Sequence, residues 1–151
     1  MVITVHHFGV AVQDMERSLA FYKNALGATI GLDLGMELPA FGRGVGIPGA
    51  QARVVFLQVP GMAPQLELIQ YLTPQGRAGG AAADVPIFGT IHAALQVGDI
   101  QRAYEELQAK GVRFDSQPSR FPADHPLLGG VAFCYFRDPD GALLELIEFP
   151  A

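Results

Sequence analysis

The strongest constraint on this chain is an internal repeat. His7-Phe8-Gly9-Val10-Ala11-Val12-Gln13-Asp14 recurs as His92-Ala93-Ala94-Leu95-Gln96-Val97-Gly98-Asp99, with histidine, valine and aspartate at the same offsets. A repeated supersecondary unit restricts the fold to architectures built from two similar modules. The residues after each copy share a pattern as well. In the first half, Asp14 predicts the N-cap of a helix whose apolar Met15, Leu19, Ala20, Tyr22 and Leu26 fall at roughly helical spacing. Gly27 ends it, and strand-like Ala28-Thr29-Ile30 comes next. In the second, Asp99 precedes Ile100, Ala103, Tyr104, Leu107 and Ala109, then Gly111 and strand-like Val112-Arg113-Phe114.

Each half closes with β-rich sequence: Ala52 to Val59 and Leu66 to Tyr71 in the first, Val131 to Phe136 and Leu143 to Phe149 in the second. The last strands match again, both containing Leu-Glu-Leu-Ile, at 66–69 and 144–147. Asp138-Pro139-Asp140-Gly141 predicts a tight turn between the final two strands, because proline fixes φ and glycine supplies a left-handed position. The expected fold is therefore α+β, two βαβββ modules at 1–72 and 89–151 joined by a glycine- and alanine-rich linker at 73–88, the whole one structural domain of 151 residues. Leu34 to Gln51 and Ser116 to Gly130 read as irregular, and long loops in a compact domain often serve binding.

Composition bounds the partners. Half of the residues are hydrophobic and 17% are charged, which excludes a charge-rich disordered chain. Fifteen acidic against ten basic residues give a formal charge of -5, so nucleic acid and anionic lipid are unexpected partners. No stretch approaches the roughly 20 apolar residues that span a bilayer. A single cysteine, Cys134, cannot form an intramolecular disulfide, and the N-terminus shows no basic-then-apolar signal. A reducing cytoplasm is the expected compartment.

The residues able to carry chemistry recur with the repeat. Side chains alternate along a strand, so His7 shares a face with Gly9 and Ala11, and His92 with Ala94 and Gln96. Glu67 lies opposite Leu66 and Leu68, and Glu145 shares a face with Leu143 and Ile147. A lone strand histidine is more often a hydrogen-bonded structural residue than a ligand, and a strand glutamate is more often solvated. Joint recurrence in both halves argues otherwise. Two imidazoles and two carboxylates suit a divalent ion, and a buried carboxylate needs such a partner. His6, facing away from His7, reads as structural; His125 could touch substrate but, in a loop beside prolines, reads as solvent-exposed, and Glu148 reads as a solvated strand glutamate. Cys134 reads as a buried, inert thiol. No glycine-rich phosphate loop, Gly-x-Ser-x-Gly or zinc-knuckle spacing is present.

On these motifs, with Ser18-Leu19-Ala20-Phe21-Tyr22 and Tyr135-Phe136-Arg137-Asp138-Pro139-Asp140-Gly141 added, the chain resembles the vicinal oxygen chelate superfamily of glyoxalase I, methylmalonyl-CoA epimerase, extradiol dioxygenases, and fosfomycin and bleomycin resistance proteins. The resemblance covers nearly the whole chain. It implies paired modules forming a curved, barrel-like eight-stranded sheet around a metal site, with His7, Glu67, His92 and Glu145 on the four ligand positions. The ion would be Ni, Co, Zn, Mn or Fe, taking oxygens of a small-molecule substrate and stabilising an enolate. Glu145 would be the main proton-transfer group and Glu67 its partner, in a lyase or isomerase of glyoxalase or epimerase type. The epimerase pattern adds a carboxylate on the third strand of the first module, where Ala52-Arg53-Val54-Val55-Phe56-Leu57 has none. For a glutathione-carboxylate contact the chain offers no clear site beyond candidate arginines such as Arg43 and Arg53. An Fe(II) extradiol dioxygenase, with two histidines and one carboxylate, is the alternative enzyme; a non-catalytic resistance protein, which would lack the ligands, is the alternative binding module. A homodimer is expected, with each site formed within one chain or from modules of two chains.

Overall fold

The computed structural model describes residues 6–34, 41–76 and 92–150, apart from the side chains of residues 41 and 43. The chain divides into two compact units, Met1–Gly79 and Gly80–Ala151. Residues 77–88 of the expected linker lie outside the described residues.

The first unit runs β1 (His7–Ala11), α1 (Met15–Leu26), β2 (Thr29–Asp33), a single helical turn α2 (Phe41–Gly44), β3 (Gln51–Gln58) and β4 (Gln65–Thr73). Asp14 caps α1 as its sequence position suggests, its carboxylate accepting from the Arg17 N–H at 3.0 Å. Gly27 ends the helix in the left-handed region at φ 67°. A 12-residue helix is marginal alone. Met15, Ser18, Leu19 and Tyr22 are buried on one stripe, and full burial of a large apolar side chain contributes about 1.5–3 kcal/mol. Packing against the sheet therefore holds α1 more than helix propensity does. The strand order is β1-β4-β3-β2, with β1 parallel to β4 and the other pairs antiparallel. Val55, Leu57, Leu66 and Leu68 form one buried face of the sheet, while Ala52 and Val54, also buried, lie on the face that carries Phe56 and Glu67.

The second unit repeats this plan with β5 (His92–Gln96), α3 (Ile100–Ala109), β6 (Arg113–Phe114), β7 (Ser119–Arg120), β8 (Ala132–Arg137) and β9 (Leu143–Glu148). Asp99 caps α3 through the Arg102 N–H at 3.0 Å. Here the order is β5-β9-β8-β6, again with the first strand parallel to the last. One strand more than expected is present, because the Ser116–Gly130 segment is not structureless: β7 pairs with β8. The Arg120 guanidinium donates to the Gly130 carbonyl and to Glu148, both at 2.6 Å, and fastens the segment to the sheet. The β8–β9 hairpin turns at Asp138, as expected, and Gly141 there has φ 91°.

Both sheets are curved, and neither closes into a barrel among the described residues: β1 and β2 are edges of one, β5 an edge of the other. No helix among the described residues is long and apolar enough to cross a membrane.

Candidate metal centre

The repeat places one His–Glu pair in each unit. In the first, β1 lies parallel beside β4 with Gly9 opposite Glu67, and the His7 Nε2 stands 3.2 Å from the Glu67 Oε2. Gly9 lets the strands carry the carboxylate there, since a β-carbon at that position would meet Oε2 at 3.2 Å. In the second, β5 lies parallel beside β9 with Ala94 opposite Glu145, and the His92 Nε2 stands 2.9 Å from the Glu145 Oε2. The histidines are partly exposed (side chains 36% and 40%) while the carboxylates are largely covered (15% and 10%). Each pair thus sets a half-exposed imidazole against a largely covered carboxylate. The expected strand faces hold: Leu66 and Leu68 are buried on the side away from Glu67.

An aromatic ring backs each histidine from the antiparallel neighbour. Phe56, opposite Glu67 in register, meets the His7 ring at 5.4 Å and 79°. Tyr135, opposite Glu145, meets the His92 ring at 5.3 Å and 90°. Tyr135 thus lies beside the Glu145 carboxylate in cross-strand register. Burial first, then the adjacent carboxylate, holds that phenol above its ordinary value, so it stays a donor. His6 makes a further contact that its position on the strand does not suggest: its Nδ1 lies 2.8 Å from the Nδ1 of His7, one ring donating to the other. Periodicity reveals neither the His6 contact, which depends on a ring turned across the strand direction, nor the Tyr135 contact, which depends on cross-strand register. The matching positions of Phe56 and Tyr135 before the two Leu-Glu-Leu-Ile strands are the available signal.

The remaining expectations resolve locally. Cys134 is buried at 1% exposure, and burial followed by the nearby Glu145 charge pushes its thiol up to about 11, the state of an inert thiol. His125 caps its own turn, its Nδ1 accepting from the Leu128 N–H at 3.0 Å. Glu148 is structural: it accepts from the Ile100 N–H at 2.7 Å at the start of α3 and from Arg120. Gln70 does the same for α1, accepting from the Met15 N–H at 3.3 Å. Arg53 is engaged by Asp33 and Glu16 at 2.7 and 2.6 Å, which leaves it poorly suited to hold a substrate carboxylate. The side chain of Arg43 lies outside the described residues.

Among the described residues no cluster of three or more histidine, cysteine, aspartate or glutamate side chains forms. What is formed is the pair in each unit, and its spacing has a chemical meaning. Two ligands each ~2.1 Å from one ion lie ~3.0 Å apart at a right angle and ~3.4 Å apart at a tetrahedral angle. The observed 3.2 and 2.9 Å fall in that range, which is also the range of an imidazole N–H donating to a carboxylate.

Duplicated βαβββ units, each offering a histidine and a glutamate from adjacent parallel strands, define a two-module fold with a ligand-type pair per module. The chain belongs to the Glyoxalase/Bleomycin resistance protein/Dioxygenase superfamily, whose profile matches residues 4–146. Its relatives include epimerases. It is 32% identical to a 2-epi-5-epi-valiolone epimerase of Actinomyces sp. over 99% of this chain and 81% of that protein. It is 29% identical to the mitochondrial methylmalonyl-CoA epimerase of Bos taurus over 94% of this chain and 72% of that one. Among solved structures, a glyoxalase family protein from Bacillus cereus superposes with TM-score 0.81 at 20% identity, covering 98% and 95% of the two chains. A fosfomycin resistance protein from Listeria monocytogenes, complexed with Mn(II) and sulfate, superposes with TM-score 0.59 at 18% identity, covering 99% and 95%. These structures share the fold.

Proposed function

We propose that this chain is a divalent-metal-dependent isomerase of epimerase type that acts on a small oxygenated substrate through an enolate. His7, Glu67, His92 and Glu145 form the ligand set, completed within one chain or between the two chains of a homodimer, and Glu145 and Glu67 carry the proton. The observation that carries this reading is the spacing of the His Nε2 and Glu Oε2 atoms in both pairs, 3.2 and 2.9 Å, which suits two donors on one ion. The epimerase relatives support the reaction class. The glyoxalase-type lyase shares the same proton chemistry and differs in its substrate.

A divalent ion, when bound, supplies Lewis-acid stabilisation for an oxygen that gains charge as the carbon beside it loses a proton. The protein supplies the rest. His7 and His92 would hold the ion through Nε2, each beside its own glutamate. Glu145 accepts the substrate proton on a carboxylate oxygen and Glu67 returns one, which is how two carboxylates exchange a proton at one carbon. No carboxylate occurs on β3, whose Arg53 is already paired, so the two glutamates of the ligand set are the bases available to the first module and the second.

The test is solvent exchange. Protein loaded in turn with Ni, Co, Zn, Mn and Fe(II) is incubated in deuterium oxide with acyl-CoA thioesters, cyclic ketoses and 2-oxoaldehyde-glutathione adducts. Deuterium at the carbon beside the carbonyl is the expected result, abolished by Glu145→Gln. Oxygen consumption on catechols with Fe(II), and no exchange on any of these substrates, would instead make the protein a dioxygenase. Ligand-dependent stabilisation independent of metal would make it a binding module.

A further inference from the structure

The two copies of the repeat differ at the residue before the histidine: the first reads His6-His7, the second Ile91-His92. Alternation along an extended chain would send His6 to the opposite face, yet its ring comes back to its neighbour. The His6 Nδ1 lies 2.8 Å from the His7 Nδ1, and the rings meet edge-on at 5.1 Å and 86°. Two further contacts place His6. Its carbonyl accepts from the Gln65 N–H at 3.3 Å, where β4 begins, and the Phe56 ring meets both imidazoles, at 6.3 Å for His6 and 5.4 Å for His7. Each nitrogen of His7 therefore has a neighbour. Nδ1 faces His6, and Nε2 stands 3.2 Å from the Glu67 Oε2.

We propose that His6 is a positioning residue for His7: it holds that ring through Nδ1 and, by accepting the ring's proton there, frees Nε2 for an ion. This rests on the metal-site reading above. A neutral imidazole carries one proton, so one nitrogen donates and the other accepts. With the proton on Nε2, toward Glu67, the His7 Nδ1 accepts and the His6 Nδ1 donates. With Nε2 given to an ion, the proton sits on Nδ1, and the acceptor beside it is the His6 Nδ1. An imidazole suits both states because it can reverse its own role. The exchange balances: His7 gives its Nε2 proton to water and takes the Nδ1 proton across the 2.8 Å bond, while the exposed His6 takes one from water on its own Nε2. The two rings carry two protons before and after. Partners on the second nitrogen of a ligand histidine typically contribute 10- to 100-fold to metal affinity. Isoleucine at position 91 has no group for this part, so the two copies of the repeat hold their histidines differently.

The experiment uses the full chain, isotope-labelled at the histidine nitrogens, and Zn(II) titrated against a competing chelator, with the ring nitrogen shifts read by NMR. His6→Leu is expected to lower Zn(II) affinity about 10-fold or more. His6→Asn, whose side-chain oxygen can accept near the place of Nδ1, is expected to recover most of that loss, and the loaded wild type to show the His7 proton on Nδ1. Affinity within twofold of the wild type in His6→Leu would overturn the proposal, and so would an equal loss in His6→Asn, which would assign the effect to the bulk of the ring. If the wild-type chain holds no Zn(II), the metal-site reading fails, and the hold on His7 is then decided in metal-free protein. There, a His7 Nδ1 shift that moves in His6→Leu and returns toward the wild type in His6→Asn supports the hold; the same shift in wild type and His6→Leu overturns it.

Discussion

The β8–β9 hairpin carries Glu145, and a single buried carboxylate closes it. Asp138 is 2% exposed. Its Oδ1 accepts from the Asp140 N–H at 2.9 Å and the Ala142 N–H at 2.7 Å. Asp138→Ala strands both donors in a partly buried turn. Each hydrogen bond to a charged acceptor contributes about 1.5–3 kcal/mol, so the expected loss is about 3 kcal/mol or more. With a urea slope of about 1–3 kcal/mol/M this is a fall in midpoint of about 1 M or more. Asp138→Asn keeps an acceptor oxygen without the charge and is expected to lose clearly less. The chain has no tryptophan, so far-UV circular dichroism is the natural probe. Asp124→Ala, at an exposed loop position, is the control, expected within about 0.5 kcal/mol. A loss below about 1 kcal/mol in Asp138→Ala would refute the reasoning, because it would mean the two N–H groups find water or other acceptors at no cost.

Three further outcomes are expected. Glu148 is held below the ordinary glutamate value of 4.5 by the Ile100 N–H and then by Arg120. Its contribution is therefore present above that value and lost as pH falls through the lower folded one, so the stability gap between wild type and Glu148→Gln should be constant from pH 8 to 6 and shrink below 4.5. A gap that widens in acid would contradict this. Cys134, pushed up to about 11 and buried, is expected to react with a disulfide reagent at pH 8 only once urea unfolds the chain; rapid reaction of the native protein would contradict its burial. Gly9→Ala brings a β-carbon to 3.2 Å from the Glu67 Oε2, so the carboxylate has to give by a few tenths of an ångström. Stability is expected to change little, whereas divalent-metal affinity falls; unchanged affinity would show that Glu67 has room to spare.

Much of this fold is legible because the chain states it twice. The Asp14 and Asp99 caps, the Gly27 terminator and the two Leu-Glu-Leu-Ile strands are local signals, and each acts through the backbone groups nearest to it. The His–Glu pairing is legible for the same reason, since strand alternation and a repeated register bring the same residue types together. β7 is not: its two residues pair with β8 because Arg120 reaches Glu148, 28 positions away. Nor is the helix-capping role of Glu148 and Gln70, which couples the last strand of each module to its helix over 48 and 55 positions. The contact of Tyr135 with the His92 ring depends on the cross-strand register that sets Tyr135 opposite Glu145. Such contacts are set by tertiary placement, and a pattern read along the chain does not contain them.

The central claim is that His7, Glu67, His92 and Glu145 serve one ion. It is tested most directly by elemental analysis of chelator-free protein after loading with Ni or Co and removal of excess, for the wild type, His7→Ala and His92→Ala. One ion per chain is expected in the wild type, with strong loss in either variant, since each histidine contributes to the same site whether it is completed within a chain or between two. Two ions per chain, with each variant retaining one, would mean that the pairs bind separately. No bound ion under any loading would leave the four residues as hydrogen-bonded elements of the sheets.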